Sequence, residues 1–351
     1  MKKNSNNTVN PATRLQNKVL AIVTAASLLF AGLGISAHAQ AEGNLRIAQQ
    51  FGIVYLLLNV AQENKLIEKH GKAEGLDIKV EYLQLSGGSA VNDALLSGAV
   101  DIAGAGIGPL FTIWDRTRGR QNVRAVVATG NFPYYLISTN PNVKTIADFT
   151  EKDRIAVPAV GVSVQSRFLQ QASAKLWGDK EYNRLDKLQV AVPHPDATAA
   201  IISGGTEITA HFGNAPFQEQ ELAGNPNAHI VLNSYDVSGG SSSPVVLYST
   251  ERFRQENPRT YRAFVNAIAE AADFAASNPE AAADAFINIT KSKIDRQLLL
   301  SILKSPETKF TITPRNTLQL GQFLQQVGAI KNRPEKVEDY FFEDPHVASG
   351  S

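Results

Sequence analysis

The chain has 351 residues, of which 43% are apolar and 19% charged, so it can bury a large core and its size suits two lobes better than one. It contains no cysteine, which excludes disulfides, thiolate chemistry and lipidation of an N-terminal cysteine. Residues 1–39 hold four of the 34 basic residues and none of the 33 acidic ones, so the rest carries 30 − 33 = −3 charges, a balance that argues against a nucleic-acid partner.

The N-terminus has the pattern of a secretory signal peptide. Basic residues at positions 2, 3, 14 and 18 precede an apolar run at 19–35, which ends in Ala37-His38-Ala39. The alternative is an uncleaved membrane anchor, but the run is shorter than the span of about 20 residues that a bilayer requires. We therefore expect residues 1–39 to be removed by cleavage near Ala39, and the mature protein to be periplasmic without insertion into the membrane.

The first part of the mature chain alternates strands and helices. Extended apolar runs at 45–49, 77–85 and 100–103 predict strands, and helical spacing at 53–70 and 90–97 predicts the helices between them. This order is typical of a parallel α/β sheet, in which ligands bind beyond the carboxyl ends of the strands. Gln50, Phe51 and Gly106 follow the first and third strands, so we expect them at this edge.

A glycine loop precedes the second of these helices. Ser86, Gly87, Gly88 and Ser89 follow the strand at 77–85, with Ser89 placed as an N-cap and Gly98 placed to end the helix. Unpaired N–H groups at such a helix start, beside glycines that let a ligand approach the backbone, suit an anion or a polar head group. The alternative is that the loop is only a turn and a cap.

After a strand at 123–128 the chain is expected to cross into a second lobe. Phe132 lies just beyond the crossing, where its ring could stack on a planar ligand. Ser163 then precedes a helix at 164–175, which offers a second helix start for a ligand or a simple cap. Arg167, one turn into that helix, either neutralises an anion or faces solvent.

The second lobe continues with a turn at 193–195, a helix at 197–203 with Asp196 as its expected N-cap, and a strand at 208–211. His211, Phe212 and Asn214 mark the loop after that strand, and we predict that they contact a ligand held between the lobes. His194 and His211 lack a third metal ligand at a suitable spacing, so we interpret them as hydrogen-bonding residues and expect no metal or cofactor. A return crossing at 233–243 and several helices from 256 onward follow, and the tail at 346–351 is expected to be disordered.

The segment at 94–111 occurs a second time. It aligns with 200–217 at an offset of 106 residues until a one-residue slip before Pro109 and Pro216. Two aliphatic residues, Ser-Gly, an acid, a short strand, a glycine-containing loop and a proline recur in the same order. The repeat predicts two similar lobes whose corresponding loops face a shared ligand.

At this point residues 44–345 resemble the periplasmic solute-binding proteins of ABC importers in the nitrate, sulfonate and taurine family. The resemblance rests on RIAQQFG at 46–52, GGSAVNDALLSGAVDIAGAG at 87–106 and PHPDATAAIISGGTEITAHFGNAPF at 193–217. It implies a type II periplasmic binding protein fold of two α/β lobes, each a mainly parallel sheet flanked by helices, joined by a two-segment hinge. We place the first lobe at 44–130 and 236–345 and the second at 131–235.

The resemblance also implies a function and its partners. A monomer would bind a small solute between the lobes without catalysis and deliver it to a membrane permease with its ATPase. By motif position, ligand contacts fall on the loop after the first strand, on Ser86 to Ser89, and on Ser163 and Asn214 in the second lobe.

The chain departs from the family at the second repeat loop. Sulfonate-binding members resemble Trp-x-x-x-Pro there, whereas this chain has His211-Phe212-Gly213-Asn214-Ala215-Pro216. A carboxylate, an aromatic acid or a pyrimidine therefore stays open as the ligand. Two other functions are an enzyme of the pyrimidine-synthase type, which shares the fold but uses a cysteine cluster, and a sensor lobe of a signalling receptor.

Overall fold

The computed structural model describes residues 42–351, so the predicted signal peptide at 1–39 lies outside the described residues. Within these residues the chain forms two five-stranded sheets flanked by helices. The strands are β1 Asn44–Gln49, β2 Lys79–Gln84, β3 Ile102–Gly106, β4 Arg124–Ala128, β5 Tyr135–Ser138, β6 Ile155–Val157, β7 Gln189–Ala191, β8 Ala210–Phe212, β9 His229–Asn233 and β10 Val245–Ser249.

The helices in chain order are α1 Leu56–Glu63, α2 Leu66–Ala73, α3 Gly88–Leu96, α4 Ile107–Thr117, α5 Val164–Trp177, α6 His194–Ser203, α7 Phe217–Gly224, α8 Ser234–Ser238, α9 Glu251–Glu256, α10 Pro258–Ser277, α11 Pro279–Thr290, α12 Arg296–Leu303, α13 Leu318–Gln326 and α14 Pro345–Ala348.

The two sheets have the same topology. The first has the order β2-β1-β3-β10-β4 and the second has the order β7-β6-β8-β5-β9. In each, the third strand is parallel to one neighbour and antiparallel to the other, and only β10 or β5 runs against the rest. The predicted two-lobed, mainly parallel α/β fold is therefore confirmed.

The internal sequence repeat corresponds to this shared topology. Its two copies contain β3 and β8, which hold the same position in their sheets, and each copy ends in the helix that follows. The third strand of each sheet is fully buried; β3 has only small and apolar residues, and β8 has His211 between Ala210 and Phe212.

Two segments connect the sheets. The chain leaves the first sheet after β4 and enters the second at β5, and it returns between β9 and β10. Residues 130 and 235, where we place the lobe boundaries, lie in these segments. The return segment is not a plain Gly/Ser linker, because it contains α8, which begins at Ser234 with the Asn233 side chain accepting from the Tyr235 N–H.

The C-terminal helices cover the first sheet. One apolar stripe of α10, which includes Tyr261, Phe264 and Ile268, is buried against α1 and α2. The tail beyond Pro345, expected to be disordered, is instead ordered. Val347 is 1% exposed, and the Ser351 N–H donates to the Pro314 carbonyl, so burial and hydrogen bonding hold this tail in place.

Three local predictions were wrong. The helix expected at 53–70 is broken at Lys65, which adopts a left-handed conformation (φ 50°) between α1 and α2. Helix α3 begins two residues earlier than predicted, with Gly87 rather than Ser89 as its N-cap, and Ser89 is exposed. Helix α6 begins at His194 rather than at 197, because Pro195 suits the first turn of a helix.

Candidate functional site

A cavity lies between the carboxyl-end loops of the two sheets. Its volume is about 20 Å³, the space that one or two water molecules occupy. The lining residues come from both sheets: Gln50, Phe51, Tyr55, Gly88, Gly106, Pro109, Tyr134, Pro158, Ser163, Val164, Gln165, His194, Asn214 and Val245. The cavity therefore has the position at which α/β sheets bind ligands.

Two helix starts face this cavity, one from each sheet. Gly88 begins α3, and Ser163 caps α5 by accepting a hydrogen bond from the Ser166 N–H. The first N–H groups of a helix have no partner inside the helix, and the positive end of the helix dipole lies there. The cavity thus lies between two donors of partial positive charge.

The side chains that line the cavity are neutral. Among the described lining residues there is no lysine, arginine or carboxylate. Tyr134 is 1% exposed, and its hydroxyl has no hydrogen-bond partner among residues 42–351, which leaves a donor available to a ligand. Burial raises the pKa of Tyr55 and Tyr134, so both hydroxyls keep their protons.

His194 begins a buried chain of hydrogen bonds that leads away from the cavity. Its Nε2 lies 3.1 Å from Gln165 Nε2, and its Nδ1 lies 2.8 Å from His211 Nε2. His211 Nδ1 lies 2.5 Å from Glu221 Oε1, which also accepts from the Thr198 hydroxyl at 2.7 Å. Burial, and then the neighbouring His211, hold the pKa of His194 well below its ordinary value, so its ring is neutral.

The glycines of the first lobe are contact points with the second lobe. A Cβ on Gly52 would lie 2.2 Å from Asn214 Oδ1, and a Cβ on Gly87 would lie 2.7 Å from the Pro158 carbonyl oxygen. The Ile53 N–H donates to the Ala215 carbonyl at 2.8 Å. A Cβ at Gly52 would clash with the Asn214 side chain, and a Cβ at Gly87 would clash with the Pro158 backbone, so both positions require glycine when the lobes are in contact.

The structure places half of the predicted site residues at the cavity. These are Gln50, Phe51, Gly88, Gly106, Ser163 and Asn214. Their binding of a ligand stays a prediction.

The other six predicted residues do not line the cavity. Ser86 precedes the N-cap of α3 and Ser89 lies in its first turn, and both are exposed, whereas Gly87 contacts Pro158. His211 and Phe212 are 0% exposed and belong to the interior of the second lobe.

Phe132 packs edge-on against Phe310 near the crossing between the sheets, at a centroid distance of 5.6 Å. Arg167 neither faces solvent nor lines the cavity: it is 7% exposed beside Gly108 and donates to Gln170. The side chains of Phe132 and Arg167 therefore pack against elements that are distant in sequence.

Four polar or aromatic residues that line the cavity were not among the predicted site residues. Tyr55 and Tyr134 reach the cavity from helical and loop positions that read as apolar core. Gln165 was available as a signal, since it falls in the first turn of a helix whose start was expected to face a ligand, whereas His194 was placed in a turn before the next helix.

Comparison with known proteins identifies the family. A family model described as NMT1/THI5 like matches residues 72–282, more than half of the chain. No individually curated protein matches the chain by sequence.

Several solved structures share the fold. One is the alkanesulfonate-binding protein SsuA from Xanthomonas axonopodis pv. citri bound to MOPS, with a TM-score of 0.61, 17% identity, and coverage of 77% of this chain and 86% of that chain. Another is the periplasmic aliphatic sulphonate binding protein SsuA from Escherichia coli, with a TM-score of 0.61, 16% identity, and coverage of 87% and 99%.

A third is the periplasmic nitrate-binding protein NrtA from Synechocystis PCC 6803, with a TM-score of 0.66, 14% identity, and coverage of 86% and 84%.

Among residues 42–351, none of the helices has the length and hydropathy of a membrane span. The likeness to these structures confirms the periplasmic binding protein fold that the sequence motifs implied, and the family match shows that this chain belongs to the NMT1/THI5-like family.

Proposed function

We propose that this chain is the substrate-binding component of an ABC importer. It captures a small anionic or polar organic solute, of the sulfonate, taurine or nitrate kind, between its two lobes and delivers it to a membrane permease with an ATPase. The printed descriptions of the similar structures, which name sulfonate- and nitrate-binding proteins, support this class of ligand. We further propose export to the periplasm, cleavage of the signal peptide and function as a monomer.

One observation carries the proposal: helix starts from two different sheets and the free Tyr134 hydroxyl meet at one cavity. Backbone N–H groups and neutral hydroxyls can bind an anion without a formal positive charge, because the helix dipoles supply the favourable potential. An anion or a polar head group is the ligand that satisfies these donors.

The volume of the cavity favours small ligands over large ones. At about 20 Å³ it suits a very small group, and a larger solute requires the two lobes to separate further. The contact between the Ile53 N–H and the Ala215 carbonyl is one that must then lengthen. We propose that the two crossing segments act as the hinge for this motion, with lobes at 44–130 with 236–345 and at 131–235.

Binding rather than catalysis fits the lining of the cavity. The described lining residues include no lysine for a Schiff base and no carboxylate for general acid–base chemistry, and the sequence has no cysteine. His194 is neutral and already bonded through both ring nitrogens. These features favour a binding protein over an enzyme of the pyrimidine-synthase type.

A thermal-shift screen tests the proposal. Residues 40–351 would be screened against nitrate, sulfonates, carboxylates and pyrimidines, and a ligand that binds only the folded chain raises its Tm. A hit should bind one-to-one by calorimetry, and Tyr134→Phe should weaken it. Absence of a Tm shift with every compound, or turnover of any of them, would contradict the proposed function, and turnover would favour the enzyme.

A further inference from the structure

The proton content of His211 sets the direction of the hydrogen-bond chain behind the cavity. Glu221 Oε1 accepts from the Thr198 hydroxyl and contacts His211 Nδ1, and Oε2 has no partner among the described residues. A carboxylate oxygen that serves as an acceptor requires a proton on His211 Nδ1. A neutral His211 then has a bare Nε2, which can only accept.

The same argument passes along the chain to the cavity. Because His211 Nε2 accepts, His194 Nδ1 must carry the proton that lies between the two rings. His194 Nε2 is then an acceptor, so the neighbouring amide group of Gln165 must be its nitrogen, which donates across 3.1 Å. With His211 neutral, the position of the Gln165 nitrogen therefore follows from the chemistry of Glu221, three groups away.

Packing makes this direction rigid. His194 is 4% exposed and stacks on Phe217 at an interplanar angle of 18°, and His211 and Glu221 are 0% exposed. Gln165 is 4% exposed and lines the cavity, and its amide oxygen makes no hydrogen bond to any residue in 42–351. A buried amide that is pinned by its nitrogen presents its oxygen to whatever occupies the cavity.

We propose that His194, His211 and Glu221 are positioning residues that hold the Gln165 amide oxygen toward the cavity, so that the site selects a ligand carrying an N–H or O–H donor at that end. This inference rests on the proposed function and narrows its ligand class. The helix starts take the anionic or polar head of the ligand, and Gln165 takes its donor. A solute with only acceptor atoms, such as nitrate, leaves the Gln165 oxygen unpaired and is disfavoured.

The state of the two rings can be measured without any ligand. Two-bond ¹H–¹⁵N spectra of residues 40–351, labelled at histidine and assigned by single substitutions, distinguish the two neutral tautomers from the imidazolium. We expect His194 and His211 both to be neutral with the proton on Nδ1. A proton on Nε2 of either ring, or on both nitrogens of His211, would turn the Gln165 amide round and overturn the inference.

A matched pair of ligands measures the selection itself. Taurine and propane-1-sulfonate have nearly the same shape and differ in an amino or a methyl group at one end. The wild type should bind taurine more tightly by about tenfold, the factor for one hydrogen bond to a buried group. In Glu221→Gln the new amide can donate or accept, so the preference should fall toward equality and a second tautomer should become visible.

Glu219→Gln is the control. It makes the same change two residues earlier on α7, but Glu219 lies outside the chain of hydrogen bonds. This variant should keep the preference for taurine over propane-1-sulfonate. Equal binding of the two sulfonates by the wild type contradicts the selection. If neither sulfonate binds while both tautomers are as expected, the proposed function fails for sulfonates and the orientation of Gln165 stands. If the tautomers are reversed and taurine binds tightly, the proposed function stands and the inferred orientation of Gln165 is wrong.

Discussion

Gly87→Ala should block closure of the lobes without disturbing either lobe. Gly87 is the N-cap of α3, with φ −163° and ψ 162°, an extended conformation that alanine adopts without strain. Its added methyl group would meet only the second lobe: the Pro158 carbonyl oxygen would lie 2.7 Å away. The substitution therefore acts across the gap between the lobes and nowhere else.

The size of the effect follows from that distance. A carbon and a carbonyl oxygen in contact lie about 3.3 Å apart, so the gap must widen by roughly 0.6 Å at this point. Overpacking of this kind costs about 1–3 kcal/mol. Because the cost applies only to the closed form, a ligand identified by the thermal-shift screen should bind at least about fivefold more weakly, while the Tm without ligand changes by less than about 2 °C.

Closure can be measured directly because the chain has no cysteine. Spin labels on cysteines introduced at Glu81 and Ala191, exposed positions on the edge strands β2 and β7, report the distance between the two sheets by pulsed electron spin resonance. With ligand, the wild type should show a narrow short distance and Gly87→Ala a longer or broader one. Ser86→Ala, an exposed neighbour, is the control. Wild-type affinity and distances in Gly87→Ala would refute the reasoning.

Three further predictions concern the cavity, a buried carboxyl and the tail. Tyr134→Phe should weaken ligand binding by about 1 kcal/mol by calorimetry with no loss of stability, because the hydroxyl has no protein partner to lose; a destabilised variant would contradict this. Burial raises the pKa of Glu219 to about 7 from an ordinary value of 4.5, so the folded chain binds more protons than the unfolded chain between these values and stability should fall as pH rises through this window. Glu219→Gln should abolish that fall and gain on the order of 2–3 kcal/mol in urea unfolding above pH 7, and equal pH profiles would show that Glu219 is solvated. Removal of residues 346–351 should lower the free energy of unfolding by about 2 kcal/mol, because the apolar surface that Val347 covers becomes exposed. Unchanged stability would show that the tail is disordered, as the sequence predicted.

Local patterns in the sequence were sufficient for the architecture. The alternation of strands and helices, the repeat at 94–111 and 200–217, and Ser163 as an N-cap all depend on neighbours along the chain, and the structure confirms them. The errors arise where contacts are distant. Gly87 reads as a ligand-facing glycine, but its lack of a side chain is explained by Pro158, which is 71 residues later in the chain.

The candidate site divides in the same way. Gln50, Gly88 and Ser163 lie at strand or helix ends, so their place at the cavity followed from topology alone. Tyr134 could not be identified, because whether a tyrosine faces a core or a cavity depends on how the two lobes meet. Gln165 was overlooked, although its place in the first turn of α5 was a signal. His211 was predicted to contact the ligand, yet it is fully buried and bonded to His194, a contact that only the packed structure reveals.

The central claim is that one small solute contacts helix starts from both lobes at once. Amide ¹H–¹⁵N spectra of residues 40–351, recorded during titration with the tightest ligand of the screen, test it most directly. We predict that the largest shifts fall together on Gly88 and Ser89 in the first lobe and on Val164 and Gln165 in the second. Shifts confined to one lobe, or centred away from both helix starts, would contradict the account.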